Sequence, residues 1–164
     1  MKTFTLRMLC AATLSLLAAT AHADVRVEDP WVRATVPGQG ATGAFMRLTA
    51  TAPGKLVAAS TTVADTTEVH EMSMADNVMR MREIPAIELP ANKPVDLAPG
   101  GYHIMFFKLH NQLKDGDRVP LTLTFEDAQG KRSDVKVDAP VRPLTATMPA
   151  AHGAGHNMQH GAHK

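Results

Sequence analysis

"TTEVHEMSMADNVMRMRE", Thr66 to Glu83, places one histidine and four methionines among charged and polar neighbours. Read with a period of two, its first run puts His70 and Met72 on one side and Val69 and Glu71 on the other. The second run gives Met79 and Met81 one side, and Val78, Arg80 and Arg82 the other. Between them "ADN", Ala75 to Asn77, supplies turn residues. The stretch predicts a β-hairpin that brings His70 and Met81 within cross-strand reach.

The same period runs outward in both directions. "GAFMRLTA", "KLVAAST", "PVDL", "YHIMFFKL", "RVPLTLTFED" and "KRSDVKVDAPV" are strand-length apolar segments, separated by "TAPG", "LPANKP", "LAPGG", "LKDGD" and "EDAQGKR". Near the start of the domain, "VRVEDPWVRATV" alternates through Val25 and Val27 and is expected to continue past Pro30 through Trp31. No stretch sustains a helical period over three turns. Short strands punctuated by Gly, Pro, Asp and Asn predict an all-β, Greek-key β-sandwich forming one domain over residues 24–143. With one Trp, one Tyr and five Phe, one of them Phe4, the core must rest on Val, Leu, Ile and Ala. Met46, isolated in "AFMRL", is assigned to it, and His110 to an exposed loop.

The ends differ from the middle. Residues 1–23 have a basic start (Lys2, Arg7), an apolar run from Met8 to Ala19, and Ala21-His22-Ala23 before Asp24. These are the parts of a secretory signal peptide, with cleavage expected after Ala23 and a periplasmic destination. The apolar run is too short for a membrane span, and Cys10 lies inside it rather than after it, against a lipid-anchored cysteine. Loss of the leader removes the single cysteine, so the mature chain has neither disulfide nor thiolate. It also takes Lys2 and Arg7, bringing the 17 basic residues just below the 16 acidic ones. No basic field then calls for nucleic acid or anionic lipid. At the other end, residues 144–164 are rich in Ala, Gly, His and Met and cannot bury enough apolar surface to order themselves.

His103, Met105 and Phe107 share one face of "YHIMFFKL". Three strand segments thus each offer His or Met from one face. Thioether sulfur is soft and neutral and imidazole borderline, a set that selects Cu(I) over Mg²⁺, Ca²⁺ or Mn²⁺. The lack of thiolate or carboxylate in the set argues against a usual zinc site. Four neutral donors leave the ion's charge intact and hold it less tightly than thiolates would. Any one of these methionines could equally be flexible packing; Met72, Met74 and Met79 are read as spare ligands or as a soft apolar apron. Glu68 and Glu71 are placed on the strand face away from His70, so no acid–base constellation is visible and no enzyme is expected. A second donor group lies in the tail: Met148, His152, His156, Met158, His160 and His163, whose imidazoles suit Cu(II).

The spacing is specific. His70, ten residues, Met81, twenty-one residues, then His103-Ile104-Met105 resembles the signature of the PCu(A)C family of periplasmic copper chaperones. "DPWVRATVPGQGATGAFMRL" and "LAPGGYHIMFFKL" resemble family segments, and the similarity spans roughly residues 25–141. Family members often carry Met directly after the first histidine; here Glu71 intervenes before Met72. The resemblance implies a cupredoxin-like sandwich binding one Cu(I) at an exposed site made by His70, Met81, His103 and Met105. It further implies delivery towards the CuA centre of a haem–copper oxidase, directly or with a Sco-type partner, by a protein expected to be a monomer. The alternatives are copper storage or tolerance, or a structural β-sandwich whose methionines are packing. Blue-copper electron transfer needs a thiolate that the mature chain lacks.

Overall fold

The computed structural model describes residues 24–76 and 78–146. Ten strands and no helix occur among them: β1 (Val25–Arg33), β2 (Ala41–Ala50), β3 (Gly54–Thr61), β4 (Ala64–Ala75), β5 (Val78–Glu83), β6 (Ile87–Leu89), β7 (Pro94–Leu97), β8 (Tyr102–Leu109), β9 (Arg118–Asp127) and β10 (Arg132–Arg142). The all-β expectation holds. The strands form one continuous sheet in the order β5-β4-β8-β7-β2-β1-β10-β9-β3-β6. Its two halves join through a short parallel pairing of β1 with β10, Val32 to Val141 and Arg33 to Arg142. The chain crosses repeatedly between halves, since β3, β6, β9 and β10 lie in one and the other six strands in the other.

Both halves turn one face towards a shared core. Val32, Met46, Leu48, Val69, Ile104 and Phe106 come from one half, and Leu56, Leu121, Leu123, Phe125 and Val141 from the other. Burying each such side chain contributes about 1.5–3 kcal/mol, and this shared burial is what clamps the halves together. Met46 is fully buried there, as expected. His110 is exposed just beyond β8, held 2.8 Å from Asp65.

One expectation fails at β1. Asp29, with φ of 50°, and Pro30 form a bulge: Glu28 pairs with Arg47, but the next pair is Trp31 with Phe45. Asp29 and Pro30 stand opposite the single residue Met46, and the one extra residue reverses the alternation. Val25 and Val27 face the core before the bulge and Val32 faces it afterwards. Trp31 therefore turns to the other face, where its ring lies 4.6 Å from that of Phe45. The β6 strand was also not foreseen, because three residues are too few to show a period.

Candidate metal centre

The hairpin anticipated at Thr66 to Glu83 is β4 and β5. Pairing runs from Ala75 with Val78 to His70 with Glu83, leaving two residues in the connection. Asp76 takes φ of 52°, the left-handed value that such tight hairpin turns demand. On its other side β4 pairs with β8, setting His70 directly opposite His103 and Glu68 opposite Met105. Directly paired residues share a face. His70, His103, Met81 and Met105 therefore lie on one face, the one turned away from the shared core.

The structure brings these four together. His70 and His103 are buried, their ring centroids 5.9 Å apart. His103 Nε2 is 3.3 Å from Met81 Sδ. Met105 is two residues along β8 from His103 and diagonal to His70 across the β4–β8 ladder. Met81 is 48 % exposed, although its sulfur meets a buried ring, so the site is anchored below and open above.

The histidine tautomers follow from their partners. The Gly101 carbonyl, 2.9 Å away, can only accept, so His103 Nδ1 donates to it and Nε2 keeps a lone pair. That lone pair faces the lone pairs of a thioether with no proton between them. A cation resolves this arrangement. With metal–nitrogen and metal–sulfur lengths of about 2.0 and 2.3 Å, as for zinc, a tetrahedral angle separates the two donors by about 3.5 Å. The observed gap is close to that. His70 Nε2 lies 2.7 Å from Glu68 Oε2, and an ionised carboxylate only accepts, so Nε2 carries the proton. His70 Nδ1 is then a buried lone pair, without a hydrogen-bond partner among the described residues.

Glu68 thus stands on the site face and not, as expected, on the opposite one. It shares parity with His70, so the alternation alone would have found it. Glu71 does face away, and Arg82 Nη2 donates to it at 2.7 Å. The role of Glu68 is to fix a ring, in the manner of carboxylates that orient metal-binding histidines.

A second group surrounds the site: Phe107 follows from the alternation of β8, whereas Trp31 and Arg33 reach this face only because of the β1 bulge. Phe45 lies 6.3 Å from His103, centroid to centroid, and Phe107 lies 5.9 Å from His70. The guanidinium of Arg33 sits 5.2 Å from the Phe45 ring and 5.9 Å from that of Trp31. Gly43, opposite Met105 on β2, leaves room for the Phe45 ring: a Cβ there would be 2.9 Å from Phe45 Cζ. Arg33, Phe45, Met72, His103 and Met105 contribute to the wall of a pocket of about 350 Å³. Burial, chiefly, holds His103 below the usual histidine range; the Gly101 carbonyl opposes this, while the nearness of the His70 ring and the charge of Arg33 add to it. The ring therefore stays neutral to lower pH than an exposed histidine would.

Among the described residues, no group of three or more His, Cys, Asp or Glu is arranged to hold a metal. The donor set here is instead imidazole and thioether. The tail donors Met148, His152, His156, Met158, His160 and His163 lie outside the described residues, as do residues 1–23. No helix among the described residues is long and apolar enough to cross a membrane.

Comparison with known proteins meets this geometry from another direction. The LpqE-like family model, described as a lipoprotein family, matches residues 25–141. Lxx21020 of Leifsonia xyli subsp. xyli, named as a lipoprotein, is 35 % identical over 134 residues, covering 78 % of each chain. Among solved structures, the apo PCuAC domain of PmoF2 is similar with a TM-score of 0.61 and 26 % identity, over 77 % of this chain and 96 % of that one. The Cu(I) form of DR1885 from Deinococcus radiodurans is similar with a TM-score of 0.56 and 32 % identity, over 76 % and 83 % of the two chains.

Proposed function

This chain belongs to the LpqE-like, PCuAC family, and on that footing we propose that it is an exported copper chaperone carrying Cu(I) on His70, Met81, His103 and Met105. The family's members are copper-binding chaperones and not enzymes. The observation that carries the reading is the meeting of unprotonated donors: His103 Nε2 against Met81 Sδ at 3.3 Å, with His70 Nδ1 unpartnered nearby. A purely structural sandwich has no reason to bury two imidazoles with their lone pairs unused, since an unsatisfied buried polar atom costs about 1–3 kcal/mol.

The chain's own groups divide the work. Glu68 and the Gly101 carbonyl hold the two rings so that a lone pair from each remains free. The sulfurs of Met81 and Met105 favour a soft monovalent ion, because thioethers are poor partners for hard cations. Arg33 stands beside this face as a fixed positive charge. It opposes a divalent ion more than a monovalent one, in proportion to charge. Release proceeds by ligand exchange without any redox step. Met81, on the edge strand and half exposed, is the donor an incoming ligand replaces first, while the buried histidines keep the ion in place. The acceptor proposed is the CuA subunit of a haem–copper oxidase or a Sco-type protein, a reading supported by family resemblance. The tail histidines and methionines are proposed as an auxiliary Cu(II) site. Export rests on the leader-like residues 1–23 and on the lipoprotein names of the family and of the Leifsonia protein.

The test is Cu(I) affinity measured against a chromophoric competitor under reducing conditions. Met81→Leu is expected to weaken binding and His103→Ala to abolish the tight site. Unchanged affinity and stoichiometry in the double variant would remove the proposal.

A further inference from the structure

The hairpin carries four methionines, of which the central site uses only Met81. The register sets Met72 opposite Met81 and Met74 opposite Met79, so all four share the face that carries His70. They form two rungs. The inner rung includes the proposed ligand Met81, whereas the outer rung belongs to no site described so far. Met74 is 64 % exposed and Met79 44 % exposed, on a ribbon that projects beyond the rest of the sheet. The last β4–β8 pair is Glu71 with Tyr102, followed by one bond from Met72 N to the Gly101 carbonyl at 3.1 Å. From Ser73 to Ala75, β4 has only β5 beside it.

Exposed positions on a two-stranded ribbon ordinarily favour β-branched residues such as Thr or Val. Methionine there gives up that preference and leaves apolar surface in water. It does supply sulfur. Directly opposed residues have Cβ atoms about 4.5–5.5 Å apart, within reach of two unbranched thioethers converging on one ion, and Met72 follows on the same face. Arg80 and Arg82 of β5 take the other face, so no cation is interposed along the row.

We propose that Met74, Met79 and Met72 form a second, weaker site for a soft monovalent ion, a capture site from which Cu(I) passes along the ribbon to the central site. Two residues of strand advance about 6.6 Å, so Met74 lies about 13 Å along β4 from His70. That separation is too long for one coordination sphere and is bridged by the Met72–Met81 rung. Three thioethers without imidazole hold the ion less firmly than the four-donor site, which gives the transfer its direction. The ion keeps its charge throughout, and only sulfur and nitrogen donors exchange. This inference rests on the Cu(I)-carrier reading above.

The experiment follows the methionine methyl signals of the full chain, labelled with ¹³C at the methyl carbon, during titration with Ag(I) as a redox-inert soft ion. The first equivalent should shift Met81 and Met105, and the second should shift Met74, Met79 and Met72. In Met74→Leu/Met79→Leu, which keeps an apolar surface but removes two sulfurs, the second-equivalent shift of Met72 should be lost. Loading of the central site from a limiting Cu(I) complex should slow several-fold in that variant, with unchanged final occupancy. If Met74 and Met79 stay unshifted, or if the tail residues Met148 and Met158 take the second equivalent instead, the capture site is overturned while the carrier reading stands. Equal loading rates in wild type and variant also overturn it. Failure of Met81 and Met105 to shift at any point would overturn the carrier reading itself.

Discussion

At the scale of single residues, the proposed function rests on which atom of each histidine holds the proton. Glu68 and the Gly101 carbonyl decide this, so their loss should be felt without any ligand being touched. In Glu68→Gln the amide offers a donor as well as an acceptor, and the His70 tautomer is no longer imposed. Cu(I) affinity should fall by about tenfold, the lower end of what outer-sphere changes cost. Nitrogen NMR of the imidazoles should show His70 as a tautomer mixture; a single tautomer with unchanged affinity would contradict the assignment. The lowered pKa of His103 gives a pH prediction of definite sign. In the unfolded chain the ring titrates near 6.5, and in the folded protein it titrates lower, because burial disfavours its charged form. The unfolded state therefore binds more protons across that window, and apo stability is full above it and lost as pH falls through it. Urea midpoints of apo wild type and His103→Gln should diverge below pH 6.5, with wild type losing more. The grouping of the four proposed donors on one face was legible in the sequence, because period two and the two gaps both point to these residues. The Gly101 carbonyl was not, since a backbone acceptor leaves no mark on residue type.

At the scale of elements, the site is where three strands lie side by side: β5 brings Met81, β4 His70, and β8 both His103 and Met105. The hairpin was readable because "ADN" separates two alternating runs whose apolar and polar sets match across it. The part of the aromatic surround that depends on β1 was not. Continued alternation through Trp31 would place that ring in the core, whereas the bulge at Asp29 and Pro30 sends it to the site face beside Phe45. A sequence records a Pro and an Asp there, but not that the two stand opposite a single partner residue. Gly43 is the hinge of this surround. Phe45 is buried and stacked on Trp31, so it has little room to retreat from a new Cβ at 2.9 Å. Gly43→Ala should lower stability by about 1–3 kcal/mol through overpacking, read as a drop in the urea midpoint, and should move the His103 ring resonances. An unchanged midpoint would mean that the ring is freer than its packing indicates.

At the scale of the whole molecule, one sheet folds over a mainly aliphatic core and leaves an outer face on which the proposed ligands stand. Composition foretold the mainly aliphatic core, because too few aromatics exist to build it; that several of them stand around the site instead was not foretold. The seam between halves, two residue pairs of β1 with β10, was beyond sequence reading, since a parallel contact between the first and last strands has no local signal. Because the four proposed donors come from three strands, β4 and β5 of the hairpin and β8 beyond it, ligation should stabilise the fold as a unit. At a free ion concentration one hundred times the Kd the gain is about 2.7 kcal/mol, and the thermal midpoint should rise on adding Cu(I) or Ag(I) to wild type but not to Met81→Leu/His103→Ala. The central claim is the composition of the coordination sphere, and X-ray absorption at the copper edge reads it directly from the full chain loaded with one equivalent of Cu(I). Two sulfur and two nitrogen scatterers, the sulfurs at about 2.3 Å, are the predicted result. A sphere of nitrogen and oxygen alone would contradict the account.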